Sequence, residues 1–154
     1  MTIICWDGKT LAADKMASFG GQHGTTIKLH RIDGMLIGGC GTTALIKQMV
    51  SWFRDGCDVD SFPAQQRDAK ECASILMVNG DGFIYQYENT PFPIQLQDKF
   101  WAIGSGRDFA MTALYLGKTA EEAVGITCVL CSDCGNGIDT MTLEPKCPAK
   151  AHQS

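Results

Sequence analysis

The chain has 154 residues, of which 45% are apolar and 19% charged, and this balance is typical of one globular domain with its own core. Its net charge of −4 argues against a nucleic-acid-binding protein, because such proteins usually carry a basic stripe. No apolar run approaches the ~18 residues that a membrane-spanning helix needs, and the N-terminal segment lacks the basic start of a signal peptide. We therefore expect a single cytoplasmic domain over residues 1–154, in which residues 145–154 form a loose tail.

The N-terminal part of the chain predicts an antiparallel sheet. Asp7-Gly8 and Asp33-Gly34 are hairpin turns between apolar runs, and Gly20, Gly21 and Gly24 mark a loop between the two hairpins. The predicted strands are Thr2–Trp6, Thr10–Ala13, Thr26–Ile32 and Met35–Gly38.

The pattern then changes to the period of a helix. Apolar residues recur at helical spacing from Leu45 to Phe53, with Thr42 or Thr43 as the N-cap and Asp55-Gly56 as the stop. Trp52 and Phe53 near its end are expected either to mark an interface or to belong to the core. Residues 57–71 are polar and admit a short helix near Ala64–Lys70.

The rest of the chain adds strands and two helices. Ser105 is expected to cap a helix that ends near Gly117, and Thr119 and Glu122 form a capping box for the last helix. Further strands are predicted at Ala73–Val78, Phe83–Tyr87, Phe100–Ile103 and Ile138–Leu143. This order of elements predicts an α+β fold, with antiparallel sheets between helical layers.

The eight cysteines are expected to be reduced thiols, because their share is below that of a disulfide scaffold. Cys131 and Cys134 are spaced as zinc ligands, but a structural zinc site requires a second such pair or paired histidines. We therefore predict no metal and no cofactor, and expect Cys128 and Cys131 to be small apolar residues on a helix face.

Three segments in fixed order resemble the proteasome β-subunit/HslV family of N-terminal-nucleophile (Ntn) threonine hydrolases. The segments are Thr2–Ser18, Ile27–Ala44 and Trp101–Gly137, and together they span nearly the whole chain. The resemblance implies a four-layer αββα sandwich, the Ntn-hydrolase fold. Residues 54–72 are shorter than the matching region of HslV, so the second helix of that layer is expected to be reduced.

The resemblance also implies a catalytic group. Thr2 occupies the position of the nucleophile once the initiator methionine is removed, and its place directly after that methionine is similar to HslV. Lys28 matches the active-site lysine and Asp14 the acidic residue that orients it. Ser105 matches the serine that helps to hold the amine, and Asp133 the acidic residue after the last long helix.

Four further positions are implied to bind substrate. Gly41 matches the glycine whose backbone N–H completes the oxyanion hole, and Ser18 ends the first segment. Asn136 stands where proteasome subunits usually carry serine. Gly39 occupies the floor of the pocket for the substrate side chain, and its missing side chain implies a roomy pocket that accepts bulky residues.

These residue types suit amide hydrolysis. A threonine hydroxyl needs a base, and an N-terminal α-amine, with a reference pKa of about 7.7–8, can be that base. A nearby lysine ammonium lowers the pKa of such an amine, and a backbone N–H stabilises the oxyanion of the acyl-transfer step.

The sequence therefore favours a threonine peptidase subunit that acts on peptides or unfolded proteins in a homo-oligomeric ring, with an ATPase unfoldase as a further partner. Two alternatives stay open. The chain could be a small-amide hydrolase outside any ring, or a catalytically silent assembly subunit, which retention of Met1 would favour.

Overall fold

The computed structural model describes residues 1–63 and 70–146. The expected loose tail lies, from residue 147 onward, outside this part of the chain, and so does most of the short helix expected near Ala64–Lys70. None of the helices within it is long and apolar enough to cross a membrane. In chain order the elements are β1 (Ile3–Trp6), β2 (Thr10–Asp14), β3 (Met16–Phe19), β4 (Gln22–Thr25), β5 (Leu29–Ile32), β6 (Met35–Gly41), α1 (Thr43–Arg54), β7 (Ala73–Val78), β8 (Ile84–Tyr87), β9 (Ile94–Leu96), β10 (Trp101–Gly104), α2 (Arg107–Tyr115), α3 (Ala120–Leu130) and β11 (Ile138–Thr142).

Two antiparallel sheets form the centre of the molecule. One has four strands in the order β10-β1-β2-β11, and the other has five in the order β5-β6-β7-β8-β9. Strands β3 and β4 form a separate hairpin beside them. The first sheet carries the N-terminus on an inner strand, because β1 lies between β10 and β2, and Thr2 directly precedes β1.

The apolar residues divide into three cores, which define four layers. Ile3 and Cys5 of β1 pack with α2 and α3, whereas Ile4 and Trp6 of the same strand pack against the other sheet. Successive side chains of a strand point to opposite faces, so a strand buried on both faces needs an uninterrupted apolar run. The third core lies between α1 and the five-stranded sheet. The expected αββα sandwich is therefore confirmed.

The two aromatic residues near the end of α1 belong to the third core. Trp52 is 4% exposed and Phe53 1% exposed, and both make edge-to-face contacts with Tyr87. Trp52 also contacts Phe62, and its indole N–H donates to the carbonyl of Asp58 at 2.7 Å. The expectation that these aromatics mark an interface is wrong, because Tyr87 of β8 packs against both rings and Phe62, after α1, packs against Trp52.

Three local expectations need correction. The predicted loop at Gly20, Gly21 and Gly24 is the β3–β4 hairpin, in which Gly20 and Gly21 form the turn and Gly24 lies in β4. Strand β5 begins at Leu29 rather than at Thr26. The N-cap of α2 is Gly106, without a capping side chain, because the hydroxyl of Ser105 is bound elsewhere.

Other local expectations are confirmed. The capping box of α3 is present, with Glu122 N donating to Thr119 Oγ1 at 3.2 Å and Thr119 N to Glu122 Oε2 at 2.9 Å. Cys128 and Cys131 are half-buried against the first core, although Cys131 is the C-cap of α3 rather than part of the helix.

Candidate active site

Thr2 is held at the start of β1 by the turn that precedes α2. Its backbone N–H donates to Ser105 Oγ at 3.1 Å, and its carbonyl accepts from Ser105 Oγ at 3.3 Å and from the backbone N–H of Gly106 at 3.3 Å. A hydroxyl can accept one hydrogen bond while it donates another, so one serine binds both polar backbone groups of Thr2. Thr2 is 9% exposed, and these three hydrogen bonds hold its backbone in place.

The turn depends on Gly104. This residue has φ +103°, and a Cβ built on it would lie 2.1 Å from the carbonyl oxygen of Thr2. Because L residues disfavour this φ and the contact is with backbone, the site requires glycine here.

We expect Gly104→Ala to lower the free energy of unfolding by roughly 3 kcal/mol, through backbone strain and overpacking together. Gly21→Ala is the matched control: its φ is +89° and no atom lies within 4 Å of the built Cβ, so only the backbone strain of about 1 kcal/mol remains. Urea denaturation of both variants measures the difference. Equal losses would show that the close approach of Thr2 to Gly104 contributes nothing.

Lys28 connects the hydroxyl of Thr2 to a buried carboxylate. Its Nζ donates to Asp14 Oδ1 at 2.8 Å, to Thr2 Oγ1 at 3.0 Å and to the carbonyl oxygen of Met1 at 3.2 Å. These three acceptors match the three protons of an ammonium group. Lys28 is 7% exposed and Asp14 is fully buried, so the pair is shielded from solvent.

Asp14 is the most connected residue of the site. Its carboxylate accepts from Lys28 and from the backbone N–H groups of Ile3 at 3.1 Å, Met16 at 3.3 Å and Gly135 at 3.0 Å. A buried carboxylate is tolerated only when it is paired and hydrogen-bonded, and these four donors satisfy that condition. The four donor residues lie in different segments: Ile3 in β1, Met16 in β3, Lys28 directly before β5 and Gly135 in the loop after α3. Asp14 therefore also connects these four segments.

Two cavities meet at Thr2. The larger has a volume of about 490 Å³ and is lined by residues of β3, β6, α1 and the segment before β5. The smaller has a volume of about 380 Å³ and includes Cys40, Gly104 and Ser105. Thr2 and Gly41 line both. Burial raises the pKa of the Cys40 thiol to about 11, so this thiol stays protonated near neutral pH and does not compete with Thr2 as a nucleophile.

Gly39 and Gly41 are both closely packed. A Cβ on Gly41, which has φ +111°, would lie 2.1 Å from the carbonyl oxygen of Cys72. A Cβ on Gly39 would lie 2.5 Å from Ile46 Cγ2 and 2.9 Å from Ile75 Cδ1. The space beside Gly39 is therefore already filled by other side chains, and the size of the larger cavity does not result from a missing side chain at that position.

The remaining predicted residues are not joined to Thr2 in the described part of the chain. Asn136 donates to the carbonyl of Gly24 at 2.9 Å, and Ser18 is hydrogen-bonded to His23 at 3.1 Å, although Ser18 also lines the larger cavity. Asp133 is half-buried and makes no hydrogen bond to Thr2 or Lys28 among residues 1–63 and 70–146.

Several groups of the site could not be predicted from the sequence. The backbone N–H of Gly135, which binds Asp14, has no sequence signal of its own. Lys47 and Arg54 of α1 and His30 of β5 line the larger cavity. The two cations of α1 are seven residues apart, a spacing that puts them on one helix face and could have indicated a shared surface.

The chain is similar to known proteins in sequence and in fold. No protein-family model matches it. Proteasome subunit beta 1 of Thermococcus kodakarensis is 29% identical over 133 residues, which cover 73% of this chain and 66% of that relative's length.

Several solved structures share the fold. BPH of Thiobacillus denitrificans in complex with epoxomicin has a TM-score of 0.71 at 17% identity, over 94% of this chain and 100% of that chain. HslV of Trypanosoma brucei has a TM-score of 0.66 at 20% identity, over 94% of this chain and 99% of that chain. Anbu of Hyphomicrobium sp. strain MC1 has a TM-score of 0.69 at 14% identity, over 94% of this chain and 82% of that chain. The sequence relative and these shared folds confirm the resemblance, and the chain has the Ntn-hydrolase fold of the proteasome β-subunit/HslV-like family.

Proposed function

We propose that this chain is an N-terminal threonine peptidase that hydrolyses peptide bonds through an acyl-enzyme ester on Thr2. One observation carries the proposal: Lys28 Nζ lies 3.0 Å from Thr2 Oγ1 while Ser105 Oγ lies 3.1 Å from Thr2 N. The hydroxyl of Thr2 is thus bound by Lys28, and its backbone nitrogen by Ser105. This is the arrangement that a nucleophile with its own base requires.

The proposed reaction starts from a free α-amine on Thr2. The amine takes the hydroxyl proton as Oγ1 attacks the scissile carbonyl, and the backbone N–H of Gly41 stabilises the resulting oxyanion. The amine then gives the proton to the leaving nitrogen, which leaves an ester on Thr2. A water molecule, deprotonated by the same amine, hydrolyses this ester and restores the hydroxyl.

Met1 decides whether the base exists. With Met1 attached, the nitrogen of Thr2 is an amide, which has no basicity, and the Met1 carbonyl accepts a hydrogen bond from Lys28. Removal of Met1 converts this nitrogen into an amine beside the Lys28 ammonium, and a neighbouring positive charge favours the neutral, basic form. We propose that the active protein begins at Thr2.

The assembly and the substrate follow from the relatives as proposals. We propose that copies of the chain associate into a ring in the cytoplasm, that peptides or unfolded proteins are the substrates, and that an ATPase unfoldase supplies them. In this proposal Asp133 keeps the catalytic role, and Asn136 and Ser18 keep the substrate-binding roles, that the family resemblance implies. Gly39 and Gly41 contribute backbone groups to the same site.

Covalent labelling tests the proposal. The purified protein is incubated with a β-lactone or with epoxomicin, the compound in the BPH complex, and its intact mass is measured before and after. We expect a starting mass without Met1 and the addition of one equivalent, which peptide mapping places on residue 2. Thr2→Ala should gain no adduct, and mapping also separates this reaction from modification of a cysteine.

The other outcomes identify the alternatives. Retention of Met1 and absence of an adduct would overturn the enzyme proposal and leave a silent assembly subunit. An adduct on Thr2 together with hydrolysis of small amides, but not of casein, would indicate a small-amide hydrolase.

A further inference from the structure

The larger cavity beside Thr2, called the basic cavity below, is walled by one face of α1. The residues of this helix that line it recur every three or four positions and so share one face: Thr43, Ile46, Lys47, Val50, Ser51 and Arg54. Two of the six are cations. No Asp or Glu from residues 1–63 or 70–146 lines the cavity.

The positive charge of the basic cavity is not neutralised within the described part of the chain. Lys28 also lines it, but its ion pair with Asp14 at 2.8 Å balances that charge. Lys47 and Arg54 form no ion pair with any residue of 1–63 or 70–146. The wall therefore carries two uncompensated positive charges, although the whole chain has a net charge of −4.

The charge of Arg54 acts on the interior of the cavity. Burial lowers the pKa of His30, which also lines the cavity, and the positive charge of Arg54 lowers it further. His30 is accordingly neutral near pH 7 and offers a polar but uncharged group.

Apolar side chains lie beside the two cations. Ile46 and Val50 occupy the same face of α1, and Met16 and Ile27 line the cavity from β3 and from the segment before β5. This combination fits a side chain that has a short apolar stem and an anionic end. A bulky aromatic side chain would gain the apolar contact but would leave the two cations without a partner.

We propose that the basic cavity selects an acidic side chain, so that the chain cleaves peptides after glutamate or aspartate. This inference rests on the proposed function, because it assigns the substrate class of the same site. It replaces the expectation of a general preference for bulky residues, which depended on Gly39 leaving open space. Because Thr2 lines the cavity, we assign the side chain that enters it to the residue that donates the acyl group.

Peptides that differ only in this residue test the proposal. Glutamate and glutamine have the same shape and differ in charge, so we expect kcat/KM to be about tenfold higher for the glutamate peptide, as two partly exposed ion pairs allow. The preference should decrease as ionic strength rises. Equal values for the two peptides would overturn the proposal and leave the peptidase function intact.

Charge-reversal variants connect the preference to the cavity. The Lys47→Glu/Arg54→Glu double variant should lose the preference for glutamate and cleave more readily after lysine. Lys99→Glu/Lys118→Glu is the matched control, because it changes the net charge by the same amount and both lysines are exposed, form no ion pair within 1–63 and 70–146 and do not line the cavity. A loss of preference in the control would show that net charge, rather than the cavity, is responsible.

Binding to an inactive protein separates this proposal from the proposed function. Titration of Thr2→Ala with the uncleaved glutamate and glutamine peptides, followed by nuclear magnetic resonance, should give about tenfold tighter binding of the glutamate peptide, with shifts at α1. If that preference appears but the wild type cleaves nothing, the peptidase proposal fails and the ligand class stands. Equal affinities, or no binding at millimolar concentration, would overturn the ligand class.

Discussion

Lys28→Met should lose at least about 100-fold in kcat/KM, because it removes the only side-chain donor that contacts Thr2 Oγ1 within residues 1–63 and 70–146. It should also destabilise the fold. Asp14 is fully buried, and removal of its ammonium partner leaves a buried charge, at a cost of roughly 3–5 kcal/mol. The carboxylate keeps three backbone N–H donors, so we expect a weakened fold rather than an unfolded chain. Peptide hydrolysis and urea denaturation of the same preparation measure the two effects.

The double variant Asp14→Asn/Lys28→Met separates catalysis from stability. Neutralising both partners removes the unpaired buried charge, so stability should recover by a few kcal/mol relative to Lys28→Met alone. Turnover should not recover, because the hydroxyl of Thr2 still lacks its charged neighbour. If activity returns together with stability, Lys28 serves only to neutralise Asp14, and the proposed catalytic role is wrong.

The parts of the fold that could be predicted from sequence are those in which a local pattern has a local cause. Asp33-Gly34 predicts a hairpin turn, and both residues have positive φ, 48° and 78°, as a type I′ turn requires. The capping box of α3 depends on two residues three positions apart, and both hydrogen bonds form. The apolar run of β1 indicates a strand buried on both faces, which is how it lies between the two sheets.

The parts that could not be predicted depend on contacts between distant segments. Trp52 and Phe53 are buried because Phe62 and Tyr87 cover them, and helical periodicity contains no information about that covering. Ser105 has the right residue type for a helix cap, but the turn at Gly104 directs its hydroxyl to Thr2 instead.

The candidate site shows the same division. The resemblance to the family gave the positions of Thr2, Asp14, Lys28 and Ser105, and the structure brings all four together. The resemblance could not predict the charge of the basic cavity, because a lysine and an arginine on the exposed face of a helix are ordinarily solvated. Their significance appears only when α1 is seen to form the wall beside Thr2.

Thr2→Ala should abolish turnover, with a loss of at least about 10³-fold, because the proposed nucleophile is then absent. The fold should be little affected: within residues 1–63 and 70–146, Thr2 Oγ1 makes one hydrogen bond, with Lys28, and its loss costs about 1 kcal/mol. Activity of Thr2→Ala within tenfold of wild type would place the nucleophile elsewhere.

Thr2→Ser separates the hydroxyl from the rest of the side chain. The serine keeps both the hydroxyl and the amine but lacks the methyl group of threonine. In threonine this methyl group restricts rotation about χ1. We expect activity within about tenfold of wild type, because freer rotation places the hydroxyl correctly for less of the time. Hydrolysis of the same peptide by both proteins, at equal concentration of labelled sites, measures this factor.

The amine is tested by comparing a protein that begins at Thr2 with one that keeps Met1. Both contain the same hydroxyl, 3.0 Å from Lys28 Nζ in the structure with Met1, so they differ in the base and not in the nucleophile. We expect turnover and adduct formation only from the protein that begins at Thr2, since an amide nitrogen cannot accept the hydroxyl proton. Equal turnover from both would mean that another group is the base, and Lys28, within hydrogen-bonding distance of the hydroxyl, would be the first residue to test.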